Sequence, residues 1–303
     1  MNITFLGTSG MVPTKERNVQ SIYIDYNGEG TLLDCGEGTQ RQITLAGLNA
    51  QKIKTILISH WHGDHVSGLV GLIQTLGNFS NGEKTIKLFG PEGTKEHFEH
   101  MMKSCIFETK LEIEITEIPR IEGKELILET KDYQIEATSL EHSVPCIGYA
   151  FVKKEKLKLL PKKVKELGLK EGPLLGRLQK GESVEFEGRK ITPKNVGEVV
   201  PSKKIAFIFD TEICDGCYTL AEDADLLVSE AVYKHELEHK AVEYKHMTAQ
   251  QAARVASESG AKELILTHFS QRYKDVGELE EEAKTIFPNT RCAFDFMKVE
   301  LLF

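Results

Sequence analysis

Short apolar runs alternate with polar turns through the first half of the chain. Residues 3–6, 21–26, 31–34 and 55–59 are rich in β-branched, aromatic or leucine side chains and are bounded by Gly, Asn and Asp, which predicts strands. Helical periodicity follows over 66–76, and again over 94–103 after Pro91-Glu92-Gly93. Strands are expected to resume at 111–118, 126–129, 134–139 and 149–152. Beyond residue 203 the alternation returns: strands at 205–209 and 226–229, a helix over 249–259 with Thr248 as its N-cap, a strand at 263–267, a helix over 277–286 and a last strand-like run at 292–302. Hairpins and crossovers occur on both sides of the middle segment. That pattern favours an α/β fold in one domain, 1–303, built as two sheets flanked by helices, over a single parallel sheet.

Residues 153–203 break the rhythm. Four of the nine prolines fall there, with glycines between them. Residues 151–180 carry ten Lys or Arg against three Glu, a local balance of +7 in a chain whose net charge is −8, so the remainder sums to −15. Such asymmetry reads as a basic appendage inserted into an acidic body, with a merely solvated lysine-rich face as the plain alternative. The 303 residues, 40% hydrophobic and 28% charged, are ordinary for a soluble globular protein. No run approaches the 18 or more apolar residues of a membrane span, and no secretory leader pattern opens the chain, so a cytoplasmic location is expected. The six cysteines are scattered, as in a reducing compartment. Cys214 and Cys217 do form a C-x-x-C, but no second pair completes a tetrahedral zinc site, and structural cysteines are the expected reading.

The chemistry concentrates in Ser59-His60-Trp61-His62-Gly63-Asp64-His65. Imidazole nitrogens and carboxylate oxygens are the donors that catalytic zinc takes, and packing has no use for four of them directly after an apolar strand. A turn leaving that strand can aim His60 and His62 at one ion and Asp64 and His65 at a neighbour. A competing pattern, His235-Glu236-Leu237-Glu238-His239, matches H-E-x-x-H. Its surroundings are rich in Lys and Glu with little apolar face, which predicts a solvated helix or loop.

The H-x-H-x-D-H run resembles the signature of the metallo-β-lactamase superfamily, which implies an αββα sandwich with further ligands at later strand ends. His142, Asp210 and His268 each stand where an apolar run gives way to a loop. By that resemblance His60, His62 and His142 hold one metal, Asp64, His65 and His268 the other, and Asp210 bridges them. Two zinc ions per subunit are implied, with manganese as a substitute, and Asp34 is expected to orient a ligand histidine.

Within the superfamily the chain is similar to the ribonuclease Z family. Phe5-Leu6-Gly7-Thr8-Ser9-Gly10 followed by Pro13-Thr14-Lys15-Glu16-Arg17-Asn18 resembles that family's P-x-K-x-R loop, which implies substrate contacts from Lys15 and Arg17. Gly172-Pro173-Leu174-Leu175-Gly176-Arg177, continuing to Gly181, resembles the glycine–proline motif of the family's flexible tRNA-binding arm, here 153–203. His268-Phe269-Ser270-Gln271-Arg272-Tyr273 is similar to the stretch around the family's last ligand, with Arg272 as a substrate contact. His246-Met247-Thr248 resembles its H-x-T element. Glu230 stands where the family's H-E-A-T glutamate falls, although this chain reads Ser229-Glu230-Ala231-Val232. The resemblance implies a homodimeric short form that cuts precursor tRNA after the discriminator nucleotide, leaving a 3′-hydroxyl on the tRNA and a 5′-phosphate on the trailer. Asp64 would handle the proton of the attacking water, and His246, oriented by Glu230, would protonate the leaving oxygen. Two other readings stand beside it: a hydrolase of small esters, lactones or thioesters on the same fold, and an RNA-binding subunit without catalysis. The first has no use for the basic insert, and the second none for an intact set of seven ligands.

Overall fold

The structure is a computed structural model that describes residues 1–78, 84–108 and 111–301. Two seven-stranded mixed sheets face each other, with helices on both outer faces. The first half of the chain forms strands β1 (Asn2–Gly7), β2 (Ser21–Tyr26), β3 (Glu29–Leu33), β4 (Ile53–Leu57), β5 (Thr85–Pro91) and β6 (Glu112–Ile118) of one sheet. Strands β7 (Glu125–Glu129), β8 (Tyr133–Leu140) and β9 (Cys146–Lys153) form an antiparallel edge of the other. After the insertion, β14 (Lys203–Ile208), β15 (Leu226–Glu230), β16 (Leu264–Thr267) and β17 (Thr290–Cys292) extend that sheet in parallel, and β18 (Lys298–Glu300) returns to pair with β1.

Apolar side chains from the inner faces, among them Phe5, Ile22, Tyr149, Phe207 and Val228, make the central core. Two further cores lie under the helices on the outer faces. Most of the inner strands are buried on both sides, so they read as continuous apolar runs. The sheets are also clipped together beside the chemistry: Ile147 N–H donates to Ser59 O at 2.9 Å and the Tyr149 hydroxyl donates to Ile58 O at 2.7 Å.

The insertion has a small structure of its own. Strand β10 (Lys156–Leu159) pairs with β13 (Gly197–Val200), and β11 (Val184–Phe186) pairs with β12 (Arg189–Ile191). Short helices Pro161–Glu166 and Pro173–Gln179 pack between them, and Leu157, Leu175, Leu178, Val184, Ile191 and Val196 form a core. Lys156, Lys158, Lys162, Lys165, Lys170 and Lys180 face solvent. Because Lys153 and Lys203 are register partners across β9 and β14, the insertion leaves and re-enters the body at adjacent points.

Three expectations from the sequence need correction. The helix over 66–76 is two helices, Gly63–Val66 and Leu69–Asn78. The chain breaks at Gly68, whose N–H donates to Cys35 O and where a Cβ would meet Gly36 O at 2.1 Å. The run 292–302 is not one strand but the ends of β17 and β18, in different sheets. Between them the chain crosses over, held by Ala293 N–H to Leu266 O and Phe296 N–H to Phe5 O, and the run's last residue, Leu302, lies outside the described residues. Strand β5, next to the edge strand β6, was not expected: only Ile-Lys-Leu-Phe precedes its Gly-Pro end, which reads as a turn.

Candidate metal centre

The seven proposed ligands converge at one edge of the sandwich, although they come from four separate stretches of the chain. His60 and His62 follow β4 and its short extension, Asp64 and His65 lie in the first turn beyond, and His142, Asp210 and His268 follow the ends of β8, β14 and β16. Asp210 and His268 have positive φ, 34° and 57°, as does Asp34 at 55°. A left-handed residue at a strand end turns the side chain out of the sheet's alternation, a conformation that costs about 1–3 kcal/mol and is retained where a site needs it.

The donor atoms form two groups. His60, His62, His142 and Asp210 make the first, and Asp64, His65 and His268 the second. In the first, His60 Nε2 is 3.0 Å from His62 Nδ1, and His142 Nε2 is 3.3 Å from the same atom. In the second, His65 Nε2 is 3.1 Å from His268 Nε2, and Asp64 Oδ2 is 3.4 and 3.5 Å from them. Asp210 spans the two: Oδ2 lies 3.7 Å from His60 Nε2, while Oδ1 lies 3.3 and 3.2 Å from His65 and His268.

These spacings fit metal ligation. Four donors at zinc distance in a tetrahedron stand about 3.3 Å apart. Asp210 Oδ1 is buried with no hydrogen-bond partner, a costly state for a carboxylate that a cation would relieve. The residues present therefore fit a metal site with a bridging carboxylate.

The surroundings hold the ligands in place. Asp34, fully buried, accepts from His65 Nδ1 at 2.7 Å and from both the amide and hydroxyl of Ser59 at 2.8 Å. The Ser59 hydroxyl also lies 3.0 Å from His60 Nδ1. His142 Nδ1 meets Lys245 O at 2.9 Å, and Met11 N–H donates to Asp64 Oδ2 at 2.7 Å. These contacts fix ring orientation and leave the opposite nitrogens of His65 and His142 for the metal. Asp34 was expected in this role; Ser59, Met11 and Lys245 were not, because backbone groups and a lone serine carry no sequence signal. Gly10 lies close enough that a Cβ there would come within 2.8 Å of the His268 ring.

Electrostatics follow from this packing. Burial and neighbouring His65 push the His60 imidazole well below its ordinary value, and burial lowers His142, so both are neutral and ready to ligate. Burial would also lower His65, but Asp210, Asp34 and Asp64 outweigh it and hold that ring well above the usual range. Burial would raise Asp64 and Asp210; the adjoining histidines reverse this and keep both ionised.

His246 Nδ1 lies 3.2 Å from Glu230 Oε2. Glu230 is fully buried and also accepts the amides of Thr211 at 2.6 Å and Met247 at 3.1 Å, so its position is determined from three sides. Burial alone would lower His246, but the Glu230 carboxylate, supported by Asp210, carries it up to about 9. A third group of donors, Asp210, His246 and His268, is also close enough to share an ion.

Asp64, His142, Asp210, His246 and His268 line one cavity of about 700 Å³ with Arg272, whose guanidinium lies 5.0 Å from the Tyr233 ring centre. His62 lines it as well, whereas the expected substrate contacts other than Arg272 stand outside its lining. Lys15 is exposed. Arg17 is buried and donates to Tyr273 O at 2.7 Å, tying its loop to the segment after His268. Gly172, Pro173, Gly176, Arg177 and Gly181 belong to the insertion, where Arg177 pairs with Glu182 at 2.7 Å. His235 and His239 join no donor group among the described residues, and His235 is exposed and paired with Glu238.

Residues 1–159 match the family model of the Anti-Pycsar protein Apyc1. The chain is 41% identical over 302 residues to ribonuclease Z of Methanothermobacter thermautotrophicus, covering 99% of this chain and 97% of the relative. Among solved structures it is similar to human tRNase Z, short form, with a TM-score of 0.75, 27% identity and full coverage of both chains. The metallo-β-lactamase fold protein YhfI of Bacillus subtilis, at 19% identity, a TM-score of 0.68 and 98% coverage of both chains, shares the fold.

Proposed function

The chain belongs to the ribonuclease Z family over nearly its whole length, with its first half also in the Anti-Pycsar protein Apyc1 family, and on that premise we propose that it is a metal-dependent endonuclease removing the 3′ trailer of precursor tRNA. The observation that carries the chemistry is Asp210 reaching toward both histidine groups, with one oxygen buried and otherwise unpartnered. His60, His62 and His142 would hold one ion, Asp64, His65 and His268 the second, and Asp210 both. Zinc suits these donors, with manganese as a substitute. When bound, such a pair lowers the pKa of water from 15.7 towards about 7 and so supplies a nucleophile at neutral pH.

The chain's own groups do the rest. Asp64, held by Met11 N–H, is ionised and would take the proton of the attacking water. His246 has its Nδ1 engaged by Glu230, which leaves Nε2–H to protonate the departing 3′-oxygen. Arg272, and Lys15 and Arg17 in their loop, would meet the acceptor end. The cut falls after the discriminator nucleotide, giving a 3′-hydroxyl and a 5′-phosphate. The working unit would be a cytoplasmic homodimer, as the short form implies; no helix among the described residues is long and apolar enough to cross a membrane.

The insertion 153–203 supports the choice of RNA over small esters. Its exposed lysines suit phosphate contacts that add affinity without reading sequence, and Gly172, Pro173, Gly176, Arg177 and Gly181 would shape that grip. Because its two ends are register partners, a short turn can replace it without parting β9 from β14. The shortened protein should keep its metal and hydrolyse bis(p-nitrophenyl) phosphate, lose precursor tRNA cleavage, and bind tRNA with a shallower salt dependence. Equal cleavage of precursor tRNA with and without the insertion would contradict the reading and favour a small-ester hydrolase.

A further inference from the structure

We propose that Cys214 and Cys217 form a thiol–disulfide exchange site, reactive toward small-molecule disulfides and able to close into an intramolecular bond. The pair lies outside the metal-ligand set, in the segment 210–217 that leads from Asp210 into the helix Asp215–Ala221. Its sulfurs are 3.6 Å apart, and bringing them to the bonded distance of about 2.05 Å needs only a shift of roughly 1.5 Å within one turn of chain.

Access to the two sulfurs is unequal, as an attacking and a resolving cysteine require. Cys214 is partly exposed and lines an open depression of about 390 Å³ with Thr138, Ser139, Glu141 and Asp215. Cys217 is fully buried and packs into the apolar core beneath the helices.

Their chemistry differs in the same sense. The Cys217 thiol, and beyond it the Thr211 hydroxyl at 3.8 Å, stabilise negative charge on Cys214 and hold its thiol down to about 6 despite partial burial. The same contact, with burial, pushes Cys217 well above its ordinary value. Cys35, Cys146 and Cys292 contrast with this arrangement, because burial raises all three thiols.

The reaction needs no oxidant beyond the small disulfide. The Cys214 thiolate attacks one sulfur of that disulfide, breaking its S–S bond and releasing one small thiolate. Cys217 attacks Cys214 Sγ, breaking the mixed disulfide, and its proton passes to the departing small thiolate, which leaves as the second thiol. Two protein thiols are oxidised and one small disulfide is reduced to two thiols. Closure moves Cys214 relative to Thr211, whose amide donates to Glu230 and whose hydroxyl accepts Glu141 N–H at 3.0 Å, so the exchange site adjoins the segment that carries Asp210.

The experiment equilibrates the folded, metal-loaded protein with excess oxidised glutathione at neutral pH, quenches with acid, alkylates free thiols and maps the peptides by mass. The expected result is a 214–217 disulfide, seen as the loss of two hydrogens and of two alkylation sites and reversed by dithiothreitol. Cys217→Ser, which removes the resolving thiol, should instead keep glutathione on Cys214. Exposed Cys105 reports that the oxidant was active. Glutathione on Cys105 while Cys214 and Cys217 of the wild-type protein both remain alkylatable would overturn the proposal.

Discussion

His246 separates two ways of using the same geometry. It is close enough to Asp210 and His268 to serve as a ligand, yet its Nδ1 is already engaged by Glu230. As a proton donor, it predicts that His246→Ala keeps full metal content and cleaves precursor tRNA more slowly by about 10²–10⁴-fold. Loss of metal from that variant would make it a ligand instead. The direction of the pH dependence follows from the Glu230 contact. The acid form exists below its pKa, so cleavage should persist through neutrality and fall as pH rises through about 9. A pH–rate profile of His246→Ala should lack that fall. His65 makes a second prediction at this scale. Three carboxylates keep its apo ring protonated above the ordinary histidine range, so adding zinc to apo protein at neutral pH should release protons, measurable in weak buffer. Replacing Asp34 by Ala should weaken metal affinity by about 10–100-fold, the cost typical of losing a group that orients a ligand histidine. Metal affinity unchanged in Asp34→Ala would remove Asp34 from that role.

At the level of elements, the site is a set of strand ends, and this is why so much of it could be read in advance. Each ligand follows an apolar run, and apolar runs are the clearest signal a chain carries. The supporting contacts were less legible. Lys245 O and Met11 N–H act through the backbone, and their residue types say nothing of it. Helices Thr39–Leu45 and Asp215–Ala221 were missed because seven residues hold too few turns to establish a period. The crossover at 293–297 was hidden for a different reason: its apolar residues serve two sheets, and only the three-dimensional pairing shows where one strand ends. Thr248 was legible as an N-cap. Its hydroxyl accepts Gln251 N–H at 3.2 Å, and Gln251 reciprocates with the Thr248 amide at 2.8 Å. Thr248→Ala should cost about 1 kcal/mol in stability, measured by denaturant unfolding. His235→Ala and His239→Ala, in a solvated turn and helix, should leave metal content and activity unchanged; loss of metal from either would revive the H-E-x-x-H reading.

The whole molecule sets a two-sheet body beside a lysine-rich segment with a small core of its own, and the proposed division gives metal chemistry to the first and RNA contacts to the second. Two sheets over a shared apolar core bring the seven donors into groups whose ligand atoms lie within 4.8 Å of one another. The insertion contributes charge at the surface without touching that core. The central claim is that these parts together cut precursor tRNA at one place. The most direct measurement incubates the metal-loaded protein with end-labelled precursor tRNA bearing a 3′ trailer and maps both product ends, beside Asp210→Ala and a chelator control. The account predicts one cut after the discriminator nucleotide, with a 3′-hydroxyl on the tRNA and a 5′-phosphate on the trailer, abolished in both controls. Intact precursor tRNA under conditions where the same protein hydrolyses bis(p-nitrophenyl) phosphate would contradict it.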